Sequence, residues 1–249
     1  MALARLFITI TGLVVASLAG PSSAWAQEEA PRRSEPVDQG EGPMTDQTER
    51  IYDSLKVLTE LNATPDSAIP KNLLERAEAI VVIPSLVKGG FVIGAKHGKG
   101  IVSLRDRATN SWSAPAFVDM TGGSIGWQIG VESVDLVLLV MNTEGVSQLL
   151  DDRFTIGGSL GVTAGPVGRN AEASTNPGLD AGILAYSRSK GLFAGATLEG
   201  ASLRMDKSGN KDFYGQSSTL REITGPDFGG TSLPAAAHAW KVSIGRLAK

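Results

Sequence analysis

Ala77–Val102 reads AEAIVVIPSLVKGGFVIGAKHGKGIV, and this stretch decides the fold class. Ile80 to Ile83 is a β-branched run closed by Pro84, and Gly90 to Ala95 and Gly100 to Leu104 repeat the apolar pattern between glycine breaks. Such runs predict strands. Gly90, Gly94 and Gly98 recur at every fourth residue; so do Gly122, Gly126 and Gly130, then Gly157, Gly161 and Gly165, and finally Gly191 with Gly195. Strand side chains alternate between faces, so glycines four apart fall on one face and leave it flat enough for another element to approach closely. Glycine also permits bulges and strong coiling, which predicts a curved or barrel-like sheet. The same spacing marks packed membrane helices, but here it is interleaved with Lys96, His97, Gln128, Glu132 and Arg169.

Downstream, further strands are predicted at Ala116 to Val118, Ser124 to Val131, Leu136 to Met141, Phe154 to Ala164, Gly182 to Tyr186, Gly191 to Leu198 and Ala201 to Met205. Many short strands separated by turn signals predict a mainly antiparallel sheet. Upstream the period changes. Between Thr45 and Leu61, Ile51, Leu55, Leu58 and Leu61 are spaced 4, 3 and 3 apart, one stripe of an amphipathic helix, with Asp46 and Glu49 placed as a capping box. Ile69-Pro70 opens a second helix, KNLLERAEA, with Leu73, Leu74 and Ala77 facing inward. The expected class is α+β: a glycine-rich, mainly antiparallel, strongly curved sheet with two N-terminal helices packed against it.

Residues 1–26 carry one charge, Arg5, an apolar run from Leu6 to Leu18, and Ala24-Trp25-Ala26, which together predict a secretory signal peptide cleaved after Ala26. The run is shorter than the roughly 20 residues a bilayer requires. Residues 27–44, rich in proline, glycine and charge, read as a disordered linker, leaving 45–249 as a single domain. The expected location is the periplasm. With no cysteine among 249 residues, a lipoprotein anchor, a disulfide scaffold and a thiolate zinc site are excluded. The formal charge of −3 argues against nucleic acid as a partner. No cofactor or metal site is expected.

Two G-x-S-x-G strings, Gly122–Gly126 and Gly157–Gly161, raise a serine hydrolase using Ser124 with His238 as a distant third reading. The segment after Gly126 reads as strand, whereas a nucleophile elbow needs a turn into a helix. GAKHGKG at Gly94–Gly100 lacks the spacing of a phosphate loop and reads as a hairpin turn. Lys88, Lys96, His97, Lys99, Arg105 and Arg107 cluster in this first strand pair, a candidate site for anionic headgroups, to which Arg169, Arg188 and Lys190 could add.

The opening stretch is followed in order by WSAPAFVDMTGGSIGWQIG, GGSLGVTAGPVGRNA, YSRSKGLFAGATLEGASLRMD, Asn210 and Phe213-Tyr214-Gly215. Over roughly Thr45 to Gly215 this series resembles the SYLF family of lipid-binding domains, most specifically at Trp112–Pro115, Gly165–Gly168 and Tyr186–Gly195. The resemblance implies a non-enzymatic α+β domain that binds phospholipids, phosphoinositides in eukaryotic members, where actin association also occurs. It is nearest to exported bacterial members. The expected site residues are Lys88, Lys96, Lys99, Arg169, Arg188 and Lys190, and the expected partner is a phospholipid or membrane surface. Actin is an unexpected partner for an exported chain, and a structural or protein-docking module of the cell envelope is the competing reading. Thr45–Leu61 holds Asp46, Glu49, Asp53 and Glu60 against Arg50 and Lys56, so it is no polybasic docking helix.

Overall fold

The β-branched run that opens at Ala79 does not stop at its glycines. In the computed structural model, which describes residues 44–63, 68–151, 153–157, 161–168, 182–189, 192–195, 200–230 and 232–248, strand β1 runs from Ala79 to Asp106. A short β2 (Ser111–Trp112) follows, then β3 (Ala116–Val140). β1 and β3 pair antiparallel nearly throughout, from Ala79↔Val140 to Val102↔Ala116. The expected hairpin turn at Gly94–Gly100 is therefore corrected: these residues lie in mid-strand, Gly94 opposite Ser124 and Gly100 opposite Val118. The segments expected to be a signal peptide and a linker lie outside the described residues, except for Met44.

β1 doubles back on itself. A Cβ added at Gly100 would lie 2.2 Å from the Val82 carbonyl oxygen, and one at Gly98 would lie 2.7 Å from Ile83 Cγ2 and 3.1 Å from Leu86 Cα. Residues 82–86 thus lie against 98–100, and the ribbon of two strands folds over near its register shift between Gly90 and Val92. A second shift, between Ile83 and Leu86, surrounds Pro84 and Ser85, whose φ is 55°. The glycine face anticipated from spacing is the inner face of this fold. Gly90, Gly94 and Gly98 share their register with Gly130, Ser124 and Met120.

β3 is the central strand. β8 (Ala201–Met205) joins its first part at Val118–Gly122, and β6 (Ile183–Ser189) joins its last part at Asp135–Val140. β4 (Arg153–Thr155) extends β8, β7 (Leu192–Gly195) pairs with β6, and β5 (Val162–Ala164) pairs with β6 in parallel. The result is a curled, half-barrel mixed sheet of eight strands.

Both faces of the sheet are buried, by different partners. On the inner face Val81, Ile83, Leu86, Val102, Val118, Met120, Leu136 and Leu138 form one core with Leu203 and Ile223. On the outer face Ile80, Val82, Ile101, Phe117, Val137, Leu139 and Tyr186 form a second core beneath the helices. Those helices are α1 (Asp46–Ala63), α2 (Lys71–Arg76) and the C-terminal α6 (Ala235–Leu247). The predicted stripe Ile51, Leu58 and Leu61 is buried there. The helix starts one residue differently from the capping-box reading, since Thr45 Oγ1, not Asp46, accepts the Thr48 N–H.

α3 (Thr143–Leu149), α4 (Lys207–Tyr214) and α5 (Leu220–Ile223) complete the chain. No helix of the described residues is long and apolar enough to cross a membrane.

Candidate functional site

The six lysines and arginines singled out from sequence do not form one patch. Alternation along β1 sorts them. Beyond the first register shift, even-numbered residues such as Leu86 face the inner core, so Lys88 and Lys96 share that face, on opposite limbs of the doubled ribbon. Both side chains are half-buried. Burial draws the Lys96 ammonium below the ordinary lysine range, and the nearby charge of Lys88 lowers it further. Among the described residues neither lysine has an ion-pair partner. Glu132, opposite Lys88 in the ladder, accepts a hydrogen bond from the Ser189 hydroxyl at 2.5 Å.

Two like charges held together in a partly desolvated place are costly unless an anion joins them. Around them the inner-face register positions include Gly90, Gly94, Gly122, Gly126 and Gly130, of which Gly122 packs closely against Ala201. The arrangement is a basic pair able to take a phosphate-like anion.

Lys99 belongs to the outer face, as do His97 and Asp119, with Lys99 directly opposite Asp119. Burial and the neighbouring Asp206 raise the Asp119 carboxyl above its ordinary range, while Lys99, Arg50 and His97 oppose the rise. One oxygen of Asp119 is buried with no hydrogen-bond partner. Beside it, the Arg50 guanidinium of α1 donates to Asp206 at 3.0 Å and lies over the Phe117 ring, 5.2 Å from its centroid. Sequence reasoning missed this group because Arg50 reads as part of a solvated helix face.

Arg188 is engaged. It donates from two nitrogens to Asp135, at 2.8 and 2.5 Å, and also pairs with Glu60 of α1, so its charge joins α1 to β3 and β6. Arg105 donates to the carbonyls of Leu74 and Ala77 at the end of α2 and stacks on Trp112, and Arg107 forms a bidentate pair with Glu78. Arg169 and Lys190 lie outside the described residues. Of the four expected residues that are described, the structure brings together Lys88 and Lys96.

Ser124 lies in mid-strand in β3, opposite Gly94, and not at the strand-to-helix turn of a nucleophile elbow, while His238 is exposed on α6. Among the described residues no group of three or more histidine and carboxylate side chains is arranged to hold a metal.

The motif residues are structural. Asn210 accepts from the Phe117 N–H at 2.8 Å and donates to the Phe117 carbonyl at 3.0 Å, fixing α4 to β3. Tyr214 donates to the Pro115 carbonyl at 2.6 Å, and Gly215 ends α4 at φ 71°. A Cβ on Gly165 would sit 2.1 Å from Tyr186 Cζ, so this glycine is the floor beneath that ring.

Residues 121–241 match the family model Ysc84, described as "Las17-binding protein actin regulator". The chain is 36% identical over 187 residues to the human SH3 domain-containing YSC84-like protein 1, covering 74% of this chain and 53% of that protein. It is also 36% identical over 175 residues to Protein YSC84 of Saccharomyces cerevisiae, covering 69% of this chain and 36% of the relative. LAS seventeen-binding protein 3 of the same yeast matches at 36% over 161 residues, 64% of this chain and 35% of its own length. The chain thus spans between about a third and a half of the curated relatives it matches. Because the matching family carries an actin-regulator description, it gives no support to excluding actin as a partner.

Proposed function

This chain belongs to the SYLF (Ysc84) family, and from that premise we propose that it is a non-enzymatic protein that binds anionic phospholipid through Lys88 and Lys96. The observation that supports the reading is the lysine pair on the inner face: Lys96 is partly desolvated and feels the charge of Lys88, and among the described residues neither forms an ion pair, Glu132 opposite Lys88 being bonded to Ser189 instead. A lipid phosphate would supply the missing counter-charge, and each lysine near an anionic surface contributes about 1 kcal/mol. The segment 1–26 reads as a secretory leader, which supports a periplasmic location for this binding, facing membranes that would offer such headgroups.

The test is flotation of the purified protein with phosphatidylcholine vesicles containing phosphatidylglycerol. Lys88→Gln with Lys96→Gln should weaken binding by at least tenfold and flatten its salt dependence. Lys99→Gln, on the other face opposite Asp119, should leave binding unchanged. Equal effects of the two changes would remove the lysine pair from the reading.

A second reading rests on the relatives' names. One is called a LAS seventeen-binding protein, so a protein-docking role for this chain competes with lipid binding. Capture of one stoichiometric protein partner, combined with no vesicle flotation, would favour it.

A further inference from the structure

Between the segments of β3 that pair with β8 and β6, residues 123–134 pair only with β1 among the described residues, and the facing part of β1 likewise pairs only with β3. The doubled ribbon therefore projects as an arm whose crest lies at the register shift near Gly90 and Val92. On the outer face of this arm Val131 is 80% exposed and Val87 is 44% exposed. They are diagonal neighbours, because Val131 stands opposite Gly89 and Val87 opposite Ser133. The sequence between them across the crest, Gly89 to Ala95 and Gly123 to Val131, contains no charged residue and includes Phe91 and Trp127.

We infer that this crest is the element that enters the lipid surface, an inference that rests on the lipid reading above. An uncharged crest with a lysine pair behind it matches the layering of a bilayer interface, where apolar groups pass the headgroups and cations stay at phosphate level. The charge pattern favours a lipid surface over a protein. The depth of entry is limited by the same geometry. Among the described residues the outer edges of both strands have no ladder partner, and their N–H and C=O groups would not be satisfied by hydrocarbon, so the crest stops in the interfacial zone. The protein then touches the bilayer with an arm.

The chain has no cysteine, so single sites can be labelled without background. Val131→Cys carries an environment-sensitive fluorophore, and Val242→Cys on α6, also surface-exposed, carries it as the control. With phosphatidylglycerol-containing vesicles, the label at 131 should shift to the blue and be quenched by shallow spin-labelled lipid, while the label at 242 should not respond. Val131→Asp should weaken flotation by about tenfold, the value of one buried valine side chain, without altering the unfolding midpoint. If wild type floats but the label at 131 stays silent, or Val131→Asp floats normally, the crest is overturned and the headgroup reading stands. If wild type does not float at all, both fall.

Discussion

Arg50 and Asp206 stand 156 positions apart in sequence, yet the guanidinium of one donates to the carboxylate of the other at 3.0 Å, with both side chains buried. The pair joins α1 to the residue that caps α4, whose carboxylate also accepts the Gly209 N–H at 2.8 Å. Burial pushes the Asp206 carboxyl up, but the hydrogen bonds from Gly209, Arg50 and Ser208 outweigh it and hold it below the ordinary range. Removing one partner leaves a buried charge alone. Arg50→Met should cost about 3–5 kcal/mol in urea unfolding at neutral pH, against a null result if the pair is dispensable.

The pH dependence follows from the sign of that shift. A carboxyl depressed in the folded state contributes stability that is present above its unfolded pKa, near 4, and is lost as pH falls through its folded pKa. Wild-type stability should therefore decline on acidification below about pH 4, and Asp206→Asn should lose most of this group's share of the decline. Unfolding midpoints measured between neutral and acid pH in both proteins check it.

Asp119 should behave in the opposite sense. Its carboxyl is raised, first by burial and then by Asp206, so its ionised form is unfavourable in the folded state and its protonated form is not. Asp119→Asn should raise the urea midpoint at pH 7, and the gain should shrink as pH falls through the folded pKa of Asp119 and vanish below the unfolded one. A gain independent of pH would assign the effect to something other than ionisation.

How much of this was legible follows from what each residue answers to. The glycine spacing disclosed a flat inner face and a curled sheet because strand periodicity is local, and the structure puts Gly98 and Gly100 against Ile83 and Val82 as that reading requires. The same glycines looked like a turn at Gly94–Gly100 because glycine serves both turns and close packing, and only the partner strand distinguishes them. Lys96 and Lys99 look alike in sequence and lie on opposite faces by alternation. Arg188 looked available for headgroups, but its partners Glu60 and Asp135 are 128 and 53 positions away. Long-range pairing of this kind leaves no trace in local spacing. The C-terminal helices α4 to α6 were also not assigned, since α4 is fixed by the Asn210 and Phe117 contact more than by a strong apolar stripe.

Glycines of one composition should therefore differ sharply in their tolerance of a methyl group. At Gly100 a Cβ would meet the Val82 carbonyl oxygen at 2.2 Å and Ile83 Cα at 2.9 Å, backbone atoms that cannot rotate away. At Gly123, in the same ribbon, nothing lies within 4 Å. Gly100→Ala must separate the two limbs of β1 and should cost about 2–3 kcal/mol or more, the range of overpacked cores. Gly123→Ala should be neutral or add about 0.4–1 kcal/mol by restricting the unfolded chain. Paired urea titrations decide the matter. Similar costs at the two positions would mean that β1 is not folded against itself, and the pairing of Lys88 with Lys96 would lose its geometric basis.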